Sequence, residues 1–351
     1  MFRFAFIGCG KIALKHAKLL ANGNINDAKL QCVCDLDLEK ARQFGTNFNI
    51  AYYSDYHEML EKEKIDVIVI LTESGTHPNI LFDTAKYKKH FVVEKPIALS
   101  IEAAEKMQEL CSDLNLKLFV IKQNRFNLPI QKMREALEIG RFGKLIMGTV
   151  RVRWSRDENY YNQADWRGTW KLDGGVLANQ AIHHIDLLQW MMGKPISVFG
   201  YSSNAIANIE AEDTAVAVVK FENGSLGAIE ATTATKPHDL EGSFSLLGEG
   251  GSVVIEGFSA NQMKTWEFVD RYIEDAKVVE KCAINPSNIF AYGHKLYYEN
   301  IVLNLKGKKN KIVDGCEGIN SLKLVAAIYE SIETKREVFL DNLKGHSKLG
   351  F

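Results

Sequence analysis

The chain has 351 residues, 46% hydrophobic and 25% charged, with 43 Lys and Arg against 44 Asp and Glu. At ~150 residues per domain this length points to two domains, and the apolar content excludes an unfolded or fibrous chain. The balanced charge provides no positive field for a phosphate polymer, so no nucleic acid partner is expected.

The apolar runs fall far short of the ~20 residues that cross a bilayer, and Lys11 interrupts the N-terminal run too early for a secretion signal. No membrane partner and a cytoplasmic location are therefore expected. Six cysteines (Cys9, Cys32, Cys34, Cys111, Cys282, Cys316) form no CxxC pair. They read as reduced core residues, with no metal site.

In chain order, Phe2 to Ile7, Leu30 to Cys34, Asp66 to Leu71, Phe91 to Val93 and Lys117 to Ile121 are short β-branched runs separated by charged, 3.6-periodic segments. This alternation predicts a doubly wound parallel sheet over residues 1–122. Pro78 suits a first helical turn, and Ser100 a helix N-cap.

From residue 123 to 351 long alternating strands arrive without a helix between each pair: 145–154, 196–203, 213–222, 225–235, 241–247 and 252–256. They predict an α+β domain on a large, open, mostly antiparallel sheet, covered on one face by helices near 128–138, 174–192, 288–304 and 317–334. Asn223-Gly224 reads as a type I′ hairpin turn. The face carrying Val216, Val218, Ala228 and Ile229 is expected to be open and to bury itself in a homo-oligomer, a dimer or tetramer. Lys306 to Lys311 read as a solvated loop.

Directly after the first strand, Gly8-Cys9-Gly10-Lys11-Ile12-Ala13 has the GxGxxA pattern of a dinucleotide turn. Gly8 permits the tight turn, Gly10 the approach of a pyrophosphate and Ala13 close helix packing, and the helix N-terminus then faces the phosphates. Asp35 ends the second strand, where a carboxylate accepts from ribose hydroxyls and repels a 2′-phosphate, which predicts NAD rather than NADP.

Two further stretches carry polar groups. Glu94-Lys95-Pro96 follows the strand at 91–93, at the carboxyl edge where such sheets bind ligands; alone it reads more readily as a surface ion pair before a turn. In 173–186, helical phase from Gly175 sets Asn179, His183 and Asp186 or Leu187 on one face; alone, a His there is more often a satisfied core group. His184 points about 100° away from His183, which disfavours a paired metal site.

Taken together these motifs resemble the Gfo/Idh/MocA family of sugar and polyol oxidoreductases. The carriers are Gly8-x-Gly10-x-x-Ala13, Glu94-Lys95-Pro96, Asn124-Arg125-Phe126, and Gly174-Gly175 followed by His183-x-x-Asp186. The resemblance implies that Lys95 and His183 line the site of hydride transfer. It also implies Lys11, Ile12, Thr72, Ser74, His77, Glu94 and Gln123 on the cofactor side. Asn179 stands where many members have Asp, which favours holding substrate hydroxyls over proton transfer.

Finer features, 74–78, 164–170, 173–181 and 209–214, resemble the UDP-N-acetyl-2-amino-2-deoxyglucuronate 3-dehydrogenases of that family. The implied reaction is NAD-dependent oxidation of the 3-hydroxyl of UDP-N-acetyl-glucosaminuronic acid, on the way to a 2,3-diamino uronic acid of a surface polysaccharide. An imidazole with pKa ~6.5 suits His183 as general base, with Lys95 stabilising the alkoxide and orienting the cofactor; the reverse assignment stays open. Arg125, Arg153, Arg156 and Arg167 are candidates for the carboxylate and diphosphate. Tyr160 and Tyr161 read as core aromatics. Alternatives are another family member acting on inositol, an aldose or a different nucleotide sugar, and a non-catalytic NAD-binding protein.

Overall fold

The computed structural model describes the backbone of all residues except 284–288, 344 and 346, and the side chains of all but those, 283 and 289–291. The chain divides into two compact units: Met1–Ala98, Glu102–Gln123 and Phe290–Ile319 form the first, and Leu99–Ile101, Asn124–Ile289 and Asn320–Phe351 the second.

The first unit alternates β1 (Phe2–Ile7), α1 (Lys11–Leu20), β2 (Ala28–Cys34), α2 (Leu38–Phe48), β3 (Ala51–Tyr53), α3 (Tyr56–Lys62), β4 (Val67–Ile70), α4 (His77–Thr84), β5 (His90–Val93), α5 (Ile101–Asp113) and β6 (Leu118–Val120). The strands form one parallel sheet in the order β3-β2-β1-β4-β5-β6, the doubly wound arrangement expected. Central β4 is buried at every position, because helices cover both faces. β3 adds an edge strand absent from the sequence reading; three half-exposed residues are too short to show a pattern.

The division is not a single cut in the sequence. Residues 290–319, which include most of α10 (Ile289–Leu305), group with the first unit. There the Val120 N–H donates to Val313 O at 3.3 Å, and the buried Tyr297 hydroxyl donates to Val120 O. The returning chain thereby covers the edge strand β6.

The second unit runs α6 (Leu128–Glu138), β7 (Leu145–Arg153), α7 (Glu158–Tyr161), a π-helical turn over Val176–Gln180, α8 (Ile182–Met192), β8 (Pro195–Ser203), β9 (Thr214–Phe221), β10 (Leu226–Thr232), β11 (Glu241–Gly248), β12 (Gly251–Glu256), β13 (Gln262–Phe268), α9 (Asp275–Ala283) and, after the return, most of α11 (Gly315–Thr334) and β14 (Val338–Phe339). Its eight strands are ordered β13-β12-β11-β7-β10-β9-β8-β14, antiparallel except for the β7–β10 pair.

Helix α8 lies so close to β7 that a Cβ on Gly148 would meet Leu188 Cδ1 at 2.7 Å and Met192 Sδ at 2.8 Å. The opposite face is open: Tyr201, Val216, Val218 and Leu226 are each more than half exposed. Ile229 does not belong to it. It pairs with Ala217, one step out of phase with Val218, and is buried under the helices.

The β9–β10 turn also differs from expectation. Only Gly224 takes positive φ (+84°), its N–H donates to Phe221 O, and Phe221 N–H donates to Ser225 O. This is a type I turn closed by a glycine bulge, because Asn223 is occupied otherwise: its amide donates to Met192 O at 2.9 Å and its oxygen accepts the Ser225 N–H. The expected helix over 174–192 is likewise split, with the Ala181 N–H reaching back five residues to Val176 O.

Candidate active site

In the first unit, the turn after β1 places Gly8 at φ +102°, where a side chain would lie 2.8 Å from the Leu71 carbonyl. Gly10, by contrast, has open space beside its Cα, and no side chain caps the helix that follows. A helix N-terminus with room in front of it suits a pyrophosphate, so Gly8, Gly10, Lys11 and Ile12 fit a dinucleotide. Asp35 accepts the Cys9 N–H at 2.8 Å and the Asp37 N–H at 2.9 Å, which fixes its carboxylate beside the turn.

Thr72, Ser74 and His77 follow β4 on the loop beside Gly8. Thr72 and Thr76 share a 2.7 Å hydroxyl contact, and Ser74 opens a 3-10 turn. His77 is fully buried, with ring nitrogens 3.0 Å from Pro96 O and 3.2 Å from Thr72 O. Burial lowers its pKa against these hydrogen bonds, and a neutral ring, with one N–H, donates to only one of the two carbonyls at a time. Gln123 opens a short 3-10 segment after β6.

Glu94 follows β5 and is buried. Its Oε2 accepts the Lys95 N–H at 2.9 Å, and its Oε1 faces His16 Nε2 at 2.9 Å. Burial alone would raise this carboxyl; the His16 hydrogen bond and the nearby His16, His294 and Lys95 hold it well below the usual range. His16, Glu94 and His294 bring one candidate ligand atom each within 4.8 Å of one another. Both ring nitrogens of His16 are already in hydrogen bonds, to Glu94 and to Tyr298, so we read the group as a hydrogen-bonded cluster. The sequence reading gave His16, His294 and Tyr298 no role, and their separation by nearly the whole chain left no local signal.

In the second unit, Gly174 (φ +80°) and Gly175 lead into the π-turn. The turn is built on Glu212, whose main-chain O accepts the Val176 N–H and whose Oε1 accepts the Leu177 N–H at 2.9 Å and the Tyr329 hydroxyl at 2.8 Å. Burial pushes this carboxyl up to about 7, against those hydrogen bonds. Within the turn Asn179 donates its amide to Asp173, which also accepts the Gly168 N–H. His183 sits half-buried in the first turn of α8. His184 is buried on the sheet side, where burial lowers its pKa to about 4 and its ring meets Trp154 edge-on.

Asp186 and Arg125 form a buried bidentate pair at 2.7 and 2.9 Å, and the guanidinium also lies over the Trp190 ring. Arg125 thus anchors α8. Arg153 lies between Glu230 (2.5 Å) and Glu241 (3.0 Å) on the sheet. Arg156 pairs with Asp239 at 2.9 Å and lies against Trp154 and Tyr160. Arg167 donates to the Tyr160 hydroxyl at 2.6 Å, between the Tyr160 and Trp166 rings. It borders a cavity of about 390 Å³ lined also by Tyr161, Asp165, Thr169 and Glu210. Tyr161 is partly buried against Thr233. Of the cysteines, Cys32, Cys34, Cys111 and Cys282 are buried, Cys9 is partly so and Cys316 is exposed.

Residues 2–122 match the family model described as the oxidoreductase family, NAD-binding Rossmann fold, and residues 134–340 match that for its C-terminal alpha/beta domain. Among solved structures, the WlbA dehydrogenase of Bordetella pertussis, in complex with NADH and UDP-GlcNAcA, is 37% identical with a TM-score of 0.92, over 96% of this chain and 97% of that one. The WlbA dehydrogenase of Chromobacterium violaceum, in complex with the same two ligands, is 36% identical with a TM-score of 0.90, over 96% and 95%. A myo-inositol 2-dehydrogenase of Thermotoga maritima is 26% identical over 98% of this chain and 100% of its own length. The chain belongs to the Gfo/Idh/MocA family of oxidoreductases and is an NAD-dependent oxidoreductase.

Proposed function

We propose that this enzyme oxidises the 3-hydroxyl of UDP-N-acetyl-glucosaminuronic acid to the 3-keto sugar, a step toward a 2,3-diamino uronic acid of a surface polysaccharide. The observation that carries the reading is similarity at 36–37% identity, over nearly the full chain, to two dehydrogenases crystallised with that sugar nucleotide. The second-unit arginines support it. A uronate carboxylate and a diphosphate need planar donors on a preformed surface; Arg156 and Arg167 are both held against aromatic faces, and Arg167 lines an open cavity.

NAD, when bound, supplies the hydride acceptor, and Gly8, Gly10, Lys11, Ile12 and Asp35 would hold it, with Thr72 and Ser74 on the loop after β4 and Gln123 after β6. His183 takes the hydroxyl proton. Lys95 stabilises the oxygen as charge develops. Asn179, its amide aligned by Asp173, offers its oxygen to a sugar hydroxyl. Arg125 acts indirectly, by holding α8 through Asp186.

Mixing enzyme, NAD and UDP-GlcNAcA, with inositol and glucose in parallel, tests the substrate. NADH absorbance is expected with the sugar nucleotide; a response to inositol alone would replace this reading with an inositol dehydrogenase, in line with the Thermotoga maritima relative. The pH–rate profiles of His183→Asn and Lys95→Met test the roles: loss of the acidic limb in the Lys95 variant only would reverse them.

The open sheet face suits a second subunit, because Tyr201, Val216, Val218 and Leu226 form a contiguous apolar patch crossed by the Arg153–Glu230 pair. Sedimentation should show a dimer or tetramer, and Val218→Lys should shift it toward monomer.

A further inference from the structure

The first unit contains a chain of polar contacts that the proposed reaction does not itself use. It begins at Tyr298 on the returning helix α10, whose hydroxyl lies 2.8 Å from His16 Nδ1. It passes from His16 Nε2 to Glu94 Oε1 at 2.9 Å, and from Glu94 Oε2 to the Lys95 N–H at 2.9 Å. The donors can be assigned from chemistry. Ionised Glu94 can only accept, so His16 Nε2 carries a proton; burial and the nearby Glu94 raise the Tyr298 phenol well above its usual range, so it remains O–H and donates to Nδ1.

We propose that Tyr298 and His16 are positioning residues for Lys95, acting through the Glu94 carboxylate. The inference rests on the reading of Lys95 as a catalytic residue. A buried carboxylate is costly unless its lone pairs are satisfied, and an apolar residue at this strand end would serve packing better. The Glu94 lone pairs are divided between His16 and the backbone of the one residue that presents the ammonium. His16 is itself caged edge-on by Phe6, His294 and Tyr298, with ring centroids at 6.3, 5.0 and 5.5 Å, so it cannot swing away from Glu94. The titratable groups facing Glu94 are His16, His294, Lys95, Tyr298, His77 and, at longer range, Lys15. Loosening the relay lets the carboxylate rotate or take up a proton, which removes both the backbone tether and the negative charge that favours the Lys95 ammonium.

The test uses the full chain with Tyr298→Phe, His16→Asn and Glu94→Gln, followed in two ways. The first is kcat and KM for UDP-GlcNAcA with NAD. The second is the pH dependence of Lys95 acetylation by acetic anhydride, read by mass spectrometry with exposed Lys64 as internal control, which needs no substrate. His16→Asn should lower kcat about tenfold and leave KM within about twofold. The labelling midpoint of Lys95, but not of Lys64, should move to lower pH in the order Glu94→Gln, His16→Asn, Tyr298→Phe. If the Lys95 curves of the variants overlay the wild type, the relay does not position Lys95, whatever happens to kcat or melting. If His16→Asn fails to fold, Tyr298→Phe, which removes a single oxygen, decides the question. Wild-type enzyme inert toward UDP-GlcNAcA but showing the labelling shifts would sink the substrate reading and leave the relay standing.

Discussion

The dinucleotide turn at Gly8 to Gly10 and the π-turn after Gly174-Gly175 both join a glycine pair to a helix, yet they are held in different ways. At the first, Leu71 and Thr72, just past strand β4, crowd Gly8 while Gly10 faces open space, so the shape comes from neighbouring backbone and room is left beside the helix. At the second, the room is already taken: a Cβ on Gly175 would lie 2.1 Å from Glu212 Oε2 and 2.3 Å from its main-chain O. One turn leaves space open in front of a helix N-terminus, and the other is wrapped around a buried carboxyl of its own. The difference shows that a glycine pair by itself does not say whether the missing side chain makes space for a ligand or for another part of the fold.

Substitutions that break this contrast differ in size. Asp186→Ala should cost the most, about 3–5 kcal/mol in denaturant unfolding, because it leaves the buried Arg125 guanidinium without its carboxylate under α8. Glu212→Gln should act through pH. The folded carboxyl stands near 7 against an ordinary 4.5, so its contribution to stability is complete below about 4.5 and lost as pH rises through 7. Wild type should therefore lose on the order of 3 kcal/mol more than Glu212→Gln between those limits, and parallel pH profiles would show that the π-turn does not enclose a titrating group.

Gly175→Ala should cost roughly 1–3 kcal/mol, because the added methyl displaces Glu212. Gly10→Ala should melt within about 0.5 kcal/mol of wild type and lose NADH binding, since only the ligand needs that space. The smallest effect is chemical: Cys316 should react first with a thiol reagent. Cys9, beside the dinucleotide turn, should resist, because burial and the adjacent Asp35 push its thiol up to about 12.

The parallel sheet, the GxGxxA turn, Asp35 and the long second-domain strands could be read from the chain because each is a local pattern: β-branched runs, a turn between strand and helix, alternation over seven to nine residues. The strands missed, β3 and β14, are edge pieces of three and two residues whose pairing comes from the sheet rather than their own composition. β13 and α9 were missed although each is longer; they pack on each other through the Trp266–Asp275 hydrogen bond, a contact between segments that periodicity does not reveal.

The amino-acid sequence by itself determined the fold class and the GxGxxA turn after β1, because periodicity and turn chemistry act between near neighbours. Only the tertiary structure decided that 290–319 joins the first unit, that Tyr298 and His16 stand behind Glu94, that Asp186 is spent on Arg125, and that Glu212 splits the expected helix into a π-turn and α8. Each of these depends on a buried polar group finding its partner dozens to hundreds of residues away. Satisfying such groups is a condition imposed by the whole packed core, not by any window of the chain.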